Sequence, residues 1–267
     1  MLPLPLGRWT SLLARVFIPL ELAQWLESNE APELVVHLAP LLAHLPIEAF
    51  DVGGIPLGAH AAVSRLCSTT AVPSESNILS TSAFLDPSLP WAHERRILGD
   101  AVQTDEQLRS RLGPNQLIHY GCHGSAAPRT EGCPQTSERR CVSDSLDLLA
   151  SDLTGSVVVL EACYTRRHVG HRHGETLDLA TISMLAGAAG AVAGLFALPA
   201  DDACTGRIVA DLLGHLSEGV AAPEALRRAR LSYLREPPDQ LKVPGKAHCT
   251  MAGSAPWSWA GLVAVTR

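Results

Sequence analysis

Short apolar runs alternate with longer amphipathic segments along the chain. The apolar runs predict buried strands at 33–37, 78–82, 116–124, 156–165, 191–198 and 259–265. The amphipathic segments predict helices at 12–26, 91–102, 105–112, 144–153, 177–185, 203–216 and 223–234. Thr104 is the predicted N-cap of the helix at 105–112. Strands that alternate with helices predict an α/β fold, with a mostly parallel central sheet and helices on both faces.

The segments between these elements show no domain linker and no internal repeat. Residues 45–50 carry a proline suited to a turn or a first helical turn. Residues 125–142, 166–174 and 236–255 lack periodicity and predict exposed loops. We therefore expect a single domain over 1–267, with a core at about 75–267 and an N-terminal extension of the same fold at 1–74.

Two of the predicted strands end in residues that together make a nucleophile. The run QLIHYGCHG ends at His123 and Gly124, and the run SVVVLEACYT carries Cys163. Functional groups gather beyond the carboxyl ends of strands in open α/β sheets. A histidine beside a cysteine takes the thiol proton or lowers the thiol pKa, and the thiolate then attacks a carbonyl.

Composition narrows the class of protein. Hydrophobic residues make up 46% and charged residues 18%, which is enough for a substantial core, and the net charge of −6 argues against a nucleic-acid binder. Lys242 and Lys246 are the two lysines among 21 basic residues, a bias typical of GC-rich bacterial genomes. Seven cysteines, an odd number, disfavour a disulfide scaffold and favour a reducing cytoplasm.

Neither apolar stretch of the chain predicts a membrane segment. The N-terminal run is interrupted by Arg8 and Arg15 and lacks the plan of a signal peptide. The run at 184–200 is slightly short for a spanning helix and contains three glycines. We interpret it as a helix end, a glycine turn and a buried strand, and we expect no membrane partner.

Five motifs resemble a CHAT domain, a branch of the caspase-like cysteine peptidases. They are LPIEAF at 45–50, HYGCHG at 119–124, VVLEACYT at 158–165, AGAAGAVAGLFALPADDA at 186–203 and APWSWAGLVAV at 255–265. They occur in the family's order and are spread over most of the chain, so together they are specific.

The resemblance implies a caspase-like three-layer α/β/α sandwich and hydrolysis of peptide bonds. His123 matches the family's catalytic histidine and Cys163 its nucleophile. The backbone N–H groups of Gly124 and Cys163 match the pair that faces the oxyanion. No metal and no organic cofactor is implied. Members of the family often act in bacterial conflict systems, including CRISPR-linked and gasdermin-linked ones, where they cut a partner protein on a signal.

Several acidic residues are candidates for substrate contacts. Glu161 lies two residues before Cys163, so strand alternation places both side chains on the same side. In legumain-like and metacaspase-like relatives an acid at this position helps to form the pocket for Arg or Lys before the scissile bond. The alternative is that Glu161 pairs with an internal arginine. Asp144 and Asp147 are further candidates.

Arginines in the predicted loops are candidate activation cleavage sites. Arg129, Arg139 and Arg140 lie in one loop, and Arg166 and Arg167 follow the nucleophile. The hypothesis is a zymogen that is cut by itself or by an upstream protease or sensor. The alternative is that these arginines are ordinary solvated charges.

Two other classes of function stay open. The fold also occurs as a catalytically inactive scaffold, against which the His123 and Cys163 pair argues. A metal-binding regulator would use His168, His171 and His173 with Cys133 and Cys141, but their spacing matches no strong zinc pattern. The leading prediction is a cytoplasmic cysteine endopeptidase with a protein substrate and no direct nucleic-acid partner.

Overall fold

The computed structural model describes residues 6–39, 42–67, 75–124, 134–166, 178–199, 201–242 and 250–266. The strands are β1 (Glu33–Val36), β2 (Asp51–Val52), β3 (Ile55–Pro56), β4 (Ala62–Leu66), β5 (Ser80–Leu85), β6 (Val102–Gln103), β7 (Gln116–Gly121), β8 (His123–Gly124), β9 (Pro134–Gln135), β10 (Val157–Glu161), β11 (Gly190–Gly194), β12 (Leu241–Lys242), β13 (Thr250–Met251) and β14 (Leu262–Thr266).

The helices are α1 (Leu6–Phe17), α2 (Leu20–Ser28), α3 (Leu57–His60), α4 (Ala92–Leu98), α5 (Asp105–Arg111), α6 (Ser145–Leu149), α7 (Leu179–Leu185), α8 (Arg207–Ser217), α9 (Ala222–Arg235) and α10 (Pro256–Trp259). Single 3₁₀ turns cover Ile47–Ala49 and Gly99–Ala101, and a π-helical turn covers Asp202–Gly206.

The central sheet has eight strands in the order β1-β4-β14-β11-β10-β7-β5-β6. The five strands from β11 to β6 are mutually parallel, and β1, β4 and β14 are parallel to one another. The two groups meet where β11 pairs antiparallel with β14. The predicted α/β fold with a mostly parallel sheet is therefore confirmed, and β7 and β10 end at the same edge.

Helices cover both faces of this sheet. On one face, Val157, Val159 and Val192 pack against apolar residues of α8 and α9. On the other face, Val158 and Leu160 pack with apolar residues of α5, α6 and α7. Strand alternation explains this division, because successive side chains of a strand point to opposite faces. The result is the three-layer α/β/α sandwich.

Some elements differ from the sequence prediction. The predicted helix at 12–26 is two helices, because Pro19 cannot continue the backbone hydrogen bonding of a helix and instead precedes α2. β4 was not predicted, because Ser64 and Arg65 interrupt its apolar pattern. The predicted loop at 125–142 contains a short hairpin over its described part, 134–142. The glycine turn and buried strand expected in 184–200 are present as Gly187, with φ of 109°, and β11.

In the parts of the chain that the structure describes, no helix is both long and apolar enough to span a bilayer.

Candidate active site

His123 stands at the edge of the sheet just beyond β7. β7 is buried along most of its length, which fixes the strand and leaves the following residues to turn outward. His123 is exposed, and with Gly124 it forms β8, which pairs antiparallel with β9. The residues after β9 complete a hairpin, which we call the 134–142 arm. The arm therefore packs directly beside the predicted catalytic histidine.

Cys163 follows β10 in a tightly held turn. The Thr165 hydroxyl donates to the carbonyl of Ala162 over 3.1 Å and accepts the Gly194 N–H over 2.8 Å. Tyr164 has φ of 61°, the left-handed region that L-residues adopt at a cost. The loop after the nucleophile is thus strained and is fixed to the neighbouring strand β11.

The two strand ends are in direct contact. A methyl group placed on Gly124 would lie 1.7 Å from the carbonyl oxygen of Cys163 and 2.6 Å from its backbone nitrogen. No side chain fits in that space, so glycine is required for this approach. Gly124 therefore lies against Cys163, and His123 and Cys163 line the same cavity.

The Cys163 thiol is half-buried, and burial raises its pKa above the ordinary value of 9.0. Backbone groups of Leu198, Gly124 and Cys163 itself act in the opposite direction, and the charge of Glu161 raises the pKa further. The Sγ also lies 4.0 Å from the carbonyl oxygen of Leu198. Since the resting group is a thiol at neutral pH, a base must remove its proton for attack.

A cavity opens beside the sulfur and carries two carboxylates, those of Glu161 and Asp201. The other side chains that line it are mostly apolar and come from the loop after β5 and the loop after β11. They include those of Leu89, Pro90, Trp91 and Leu198, with Cys122 and His123 at the sheet edge. An apolar cavity with a few placed charges is the usual form of a specificity pocket.

Glu161 is 5% exposed, and its Oε2 lies 3.4 Å from Nε2 of His119 on the neighbouring strand. Burial lowers the pKa of His119 to about 4, although the charge of Glu94 opposes the shift. His119 is therefore neutral at pH 7. One contact of the Glu161 carboxylate is thus with a neutral histidine.

Asp144 and Asp147 are placed differently from the prediction. Asp144 is the N-cap of α6, and its carboxylate accepts the N–H groups of Leu146 and Asp147 over 2.8 and 2.9 Å. The Asp147 carboxylate accepts the Asp144 N–H in return over 3.1 Å. This reciprocal pattern is a capping box. Neither residue lines the cavity beside Cys163.

Arg166, which was predicted to lie in an exposed loop, is buried in the structure. Arg166 is 7% exposed and forms a buried ion pair with Asp178, and its backbone N–H donates to Gly194 over 2.8 Å. Arg139 and Arg140 are exposed on the 134–142 arm, and Arg140 lies 3.6 Å from Asp105. Arg129 and Arg167 lie outside the described residues.

The alternative prediction of a metal site concerns histidines and cysteines that the structure describes only in part. Cys141 is disulfide-bonded. His168, His171, His173 and Cys133 lie outside the described residues. Over the described ranges, no group of three or more His, Cys, Asp or Glu is arranged to hold a metal ion.

Sequence reasoning missed two carboxylates near the site. Asp201 lines the cavity where the chain enters the π-helical turn, a feature often found at functional sites. Asp86 follows β5 and is fully buried. Each is a single acid without a local pattern. Their position in the chain could have identified them, since both follow strands that end at the same edge as β7 and β10.

Comparison with known proteins bears on the family and the fold of the chain. The model of the CHAT domain family matches residues 83–267. Two crystal structures of the Saccharomyces cerevisiae separase–securin complex have a similar fold, with TM-scores of 0.50 and 0.53 and identities of 13% and 11%. Both alignments cover 88% of this chain but only 15% and 16% of the separase chains. No curated protein matches the sequence.

Proposed function

Because the chain belongs to the CHAT domain family, we propose that it is a cysteine endopeptidase that cleaves a protein substrate through His123 and Cys163. The observation that carries the proposal is the contact between Gly124 and the backbone of Cys163 at the edge where β7 and β10 end. The proposal takes His123 as the base, Cys163 as the nucleophile, and the backbone N–H groups of Gly124 and Cys163 as the oxyanion donors. Acyl transfer requires that set of groups.

The reaction follows from these groups. His123 takes the Cys163 proton as the sulfur attacks the peptide carbonyl, and the N–H groups of Gly124 and Cys163 stabilise the oxyanion. His123 then protonates the leaving amine, which gives a thioester acyl-enzyme. Water activated by His123 hydrolyses the thioester and restores the thiol. No step calls for a metal or an organic cofactor.

The two carboxylates of the cavity support cleavage after a basic residue. Glu161 and Asp201 both line the space beside the nucleophile, and no positively charged side chain is among the described residues that line it. An Arg or Lys side chain entering this space would make charge-assisted hydrogen bonds. His119 is neutral at pH 7 and therefore adds no positive charge beside Glu161.

Activation by cleavage is the further part of the proposal. Arg139 and Arg140 lie on the arm whose strand β9 pairs with His123 and Gly124. A cut after either arginine would release that strand pairing and change the position of the His123 backbone. Arg129 and Arg167 remain candidates by sequence, whereas Arg166 is withdrawn. The cutting agent would be the enzyme itself or an upstream protease controlled by a sensor.

The cellular setting that the family implies is a proteolytic cascade of bacterial antiviral defence in the cytoplasm. Separase, which shares the fold, is found in complex with the protein securin, and this supports a protein as the partner of the present chain. The alternative function is an inactive caspase-like scaffold. Its supporting observation is the raised pKa of Cys163, since a scaffold needs no reactive thiolate.

The experiment compares the wild type with Cys163→Ala on fluorogenic peptides that differ in the residue before the scissile bond. Each protein is tested intact and after limited nicking by trypsin, and Cys67→Ala serves as a matched control for loss of a buried thiol. Turnover of Arg or Lys peptides that disappears in Cys163→Ala supports the proposal. Absence of turnover in every form of the wild type supports the scaffold instead.

A further inference from the structure

Asp86 lies at the junction of the two segments that flank His123. Its backbone N–H donates to the carbonyl of Gly121 over 2.8 Å, at the end of β7. Its Oδ2 accepts the N–H of Ser137 over 2.7 Å, on the 134–142 arm. The arm in turn pairs with His123 through Gln135. One aspartate therefore ties together the strand before the histidine and the strand beside it.

The Asp86 carboxylate is kept charged in a buried place. The residue is fully buried, which by itself raises its pKa, but the N–H groups of Ser88 and Ser137 and the nearby charge of His123 bring the pKa below the ordinary value of 3.8. Ser88 donates to Oδ1 over 2.9 Å. Charges act over longer distances in such surroundings than in water. Among the described residues, no side-chain hydrogen bond holds the His123 ring itself.

We propose that Asp86 is a positioning residue that holds His123 beside Cys163 and stabilises the imidazolium form of that histidine. The proposal rests on the proposed function, because it concerns the same proton transfer. When a ring nitrogen of His123 takes the proton from the Cys163 Sγ, a thiolate and an imidazolium form. The negative charge of Asp86 favours the imidazolium and therefore favours the thiolate indirectly.

The direction of the change in Cys163 reactivity distinguishes a carboxylate that acts through His123 from one that acts directly on the sulfur. A negative charge that acts on the sulfur itself disfavours the thiolate, as Glu161 does. The other titratable groups that face the pair in the cavity are Cys122 and Asp201. Removing an acid that acts directly makes Cys163 more reactive, whereas removing Asp86 makes it less reactive if its charge acts through His123.

The test is a double-mutant cycle on the alkylation of Cys163 by iodoacetamide at pH 7, followed by peptide mass spectrometry. The thiolate displaces iodide, so the rate reports the thiolate fraction and needs no substrate. We expect Asp86→Asn to slow alkylation by about tenfold, because loss of the negative charge makes the imidazolium–thiolate pair less favourable. In a His123→Gln background the same substitution should have no slowing effect, because the group through which Asp86 acts is gone. Glu161→Gln is the control for a direct charge and should speed alkylation.

Two results would overturn the proposal. One is that Asp86→Asn leaves the alkylation rate unchanged or raises it. The other is that it slows alkylation equally with and without His123, which indicates a structural role. Failure of the proposed function would look different, since the wild type would cleave no peptide while the coupling between Asp86 and His123 persisted.

A second pair of variants covers the case in which Asp86→Asn does not fold, as judged by near-UV circular dichroism. Ser137 occupies the second position of a turn closed by the Arg139 N–H and the Thr136 carbonyl, a position that accepts proline. Ser137→Pro removes the donor to Asp86, whereas Ser137→Ala keeps it. We expect slower alkylation in Ser137→Pro than in Ser137→Ala, and equal rates would count against the arm as a support of His123.

Discussion

The backbone of Gly124 lies directly against the peptide of Cys163, so closely that a single added methyl group would overlap the Cys163 carbonyl oxygen. Two loops that are 39 residues apart in sequence are thus held at contact distance by the parallel pairing of β7 and β10. The sheet, rather than any local motif, therefore sets the distance between the backbones of Gly124 and Cys163. The site is therefore sensitive to one carbon atom.

Gly124→Ala is expected to destroy the site, because the added carbon would force the two loops apart. Overpacking of this kind costs about 1–3 kcal/mol or more of folding free energy. Gly214→Ala in α8 is the matched control, since nothing lies within 4 Å of the added carbon there. That control should be neutral or stabilise by up to about 1 kcal/mol. Urea denaturation and peptidase assays of both variants check the prediction, and an active Gly124→Ala enzyme would contradict it.

The sequence was sufficient to predict the sheet and the two strand ends that carry the site. Buried parallel strands are near-continuous apolar runs, and 116–121 and 157–161 are of this kind. β4 could not be predicted in the same way, because its Arg65 is a buried charge in a strand. Its burial is tolerated because Glu48, which is distant in sequence, pairs with it. Local pattern does not contain that information.

The predictions of exposed loops were less reliable for the same reason. Arg166 looks like a solvated charge in sequence, but Asp178 at the start of α7 pairs with it and buries it. The 134–142 arm has no alternating apolar pattern, so the sequence did not predict its hairpin. The arm is held by strand pairing with His123 and Gly124 and by a hydrogen bond to the Asp86 carboxylate. Such contacts arise from the tertiary fold.

Glu161 and Asp201 are expected to determine the preference for a basic residue. A hydrogen bond to a charged group contributes about 1.5–3 kcal/mol, so Glu161→Gln or Asp201→Asn should lower kcat/KM for Arg peptides by about tenfold or more. Peptides with a neutral residue at the same position are the control and should lose little. The assay is the fluorogenic panel described above. Equal losses on basic and neutral peptides would instead mean that the two acids maintain the shape of the cavity.

Glu48 in the LPIEAF motif is expected to be a stability residue. Its oxygens accept from Nε and Nη2 of Arg65 over 2.9 and 2.7 Å, and both side chains are almost fully buried. Glu48→Gln leaves the buried charge of Arg65 without its counterion, which costs about 3–5 kcal/mol. The control is Glu224→Gln, which breaks the more exposed pairs with Arg227 and Arg228 and should cost about 0–1 kcal/mol. Urea denaturation measures both. Similar small losses would show that the buried pair contributes little.

Stability is expected to fall on acidification because of His119. The ring is fully buried, and its pKa is about 4 in the folded protein against an ordinary value of 6.5. Between these two values the unfolded chain binds a proton at this residue and the folded chain does not. The unfolded state is therefore favoured as pH falls from 6.5 to 4, by about 1.4 kcal/mol for each pH unit.

The comparison of the wild type with His119→Gln isolates this contribution, because glutamine does not titrate and other acids titrate in both proteins. Free energies of unfolding from urea denaturation at pH 7, 6 and 5 should diverge, with the wild type losing more by about 1–2 kcal/mol at pH 5. Parallel losses in the two proteins would mean that His119 is protonated in the fold and paired with Glu161. In that case protonated His119 would neutralise the charge of Glu161, and the preference for basic residues would have to come from Asp201 alone.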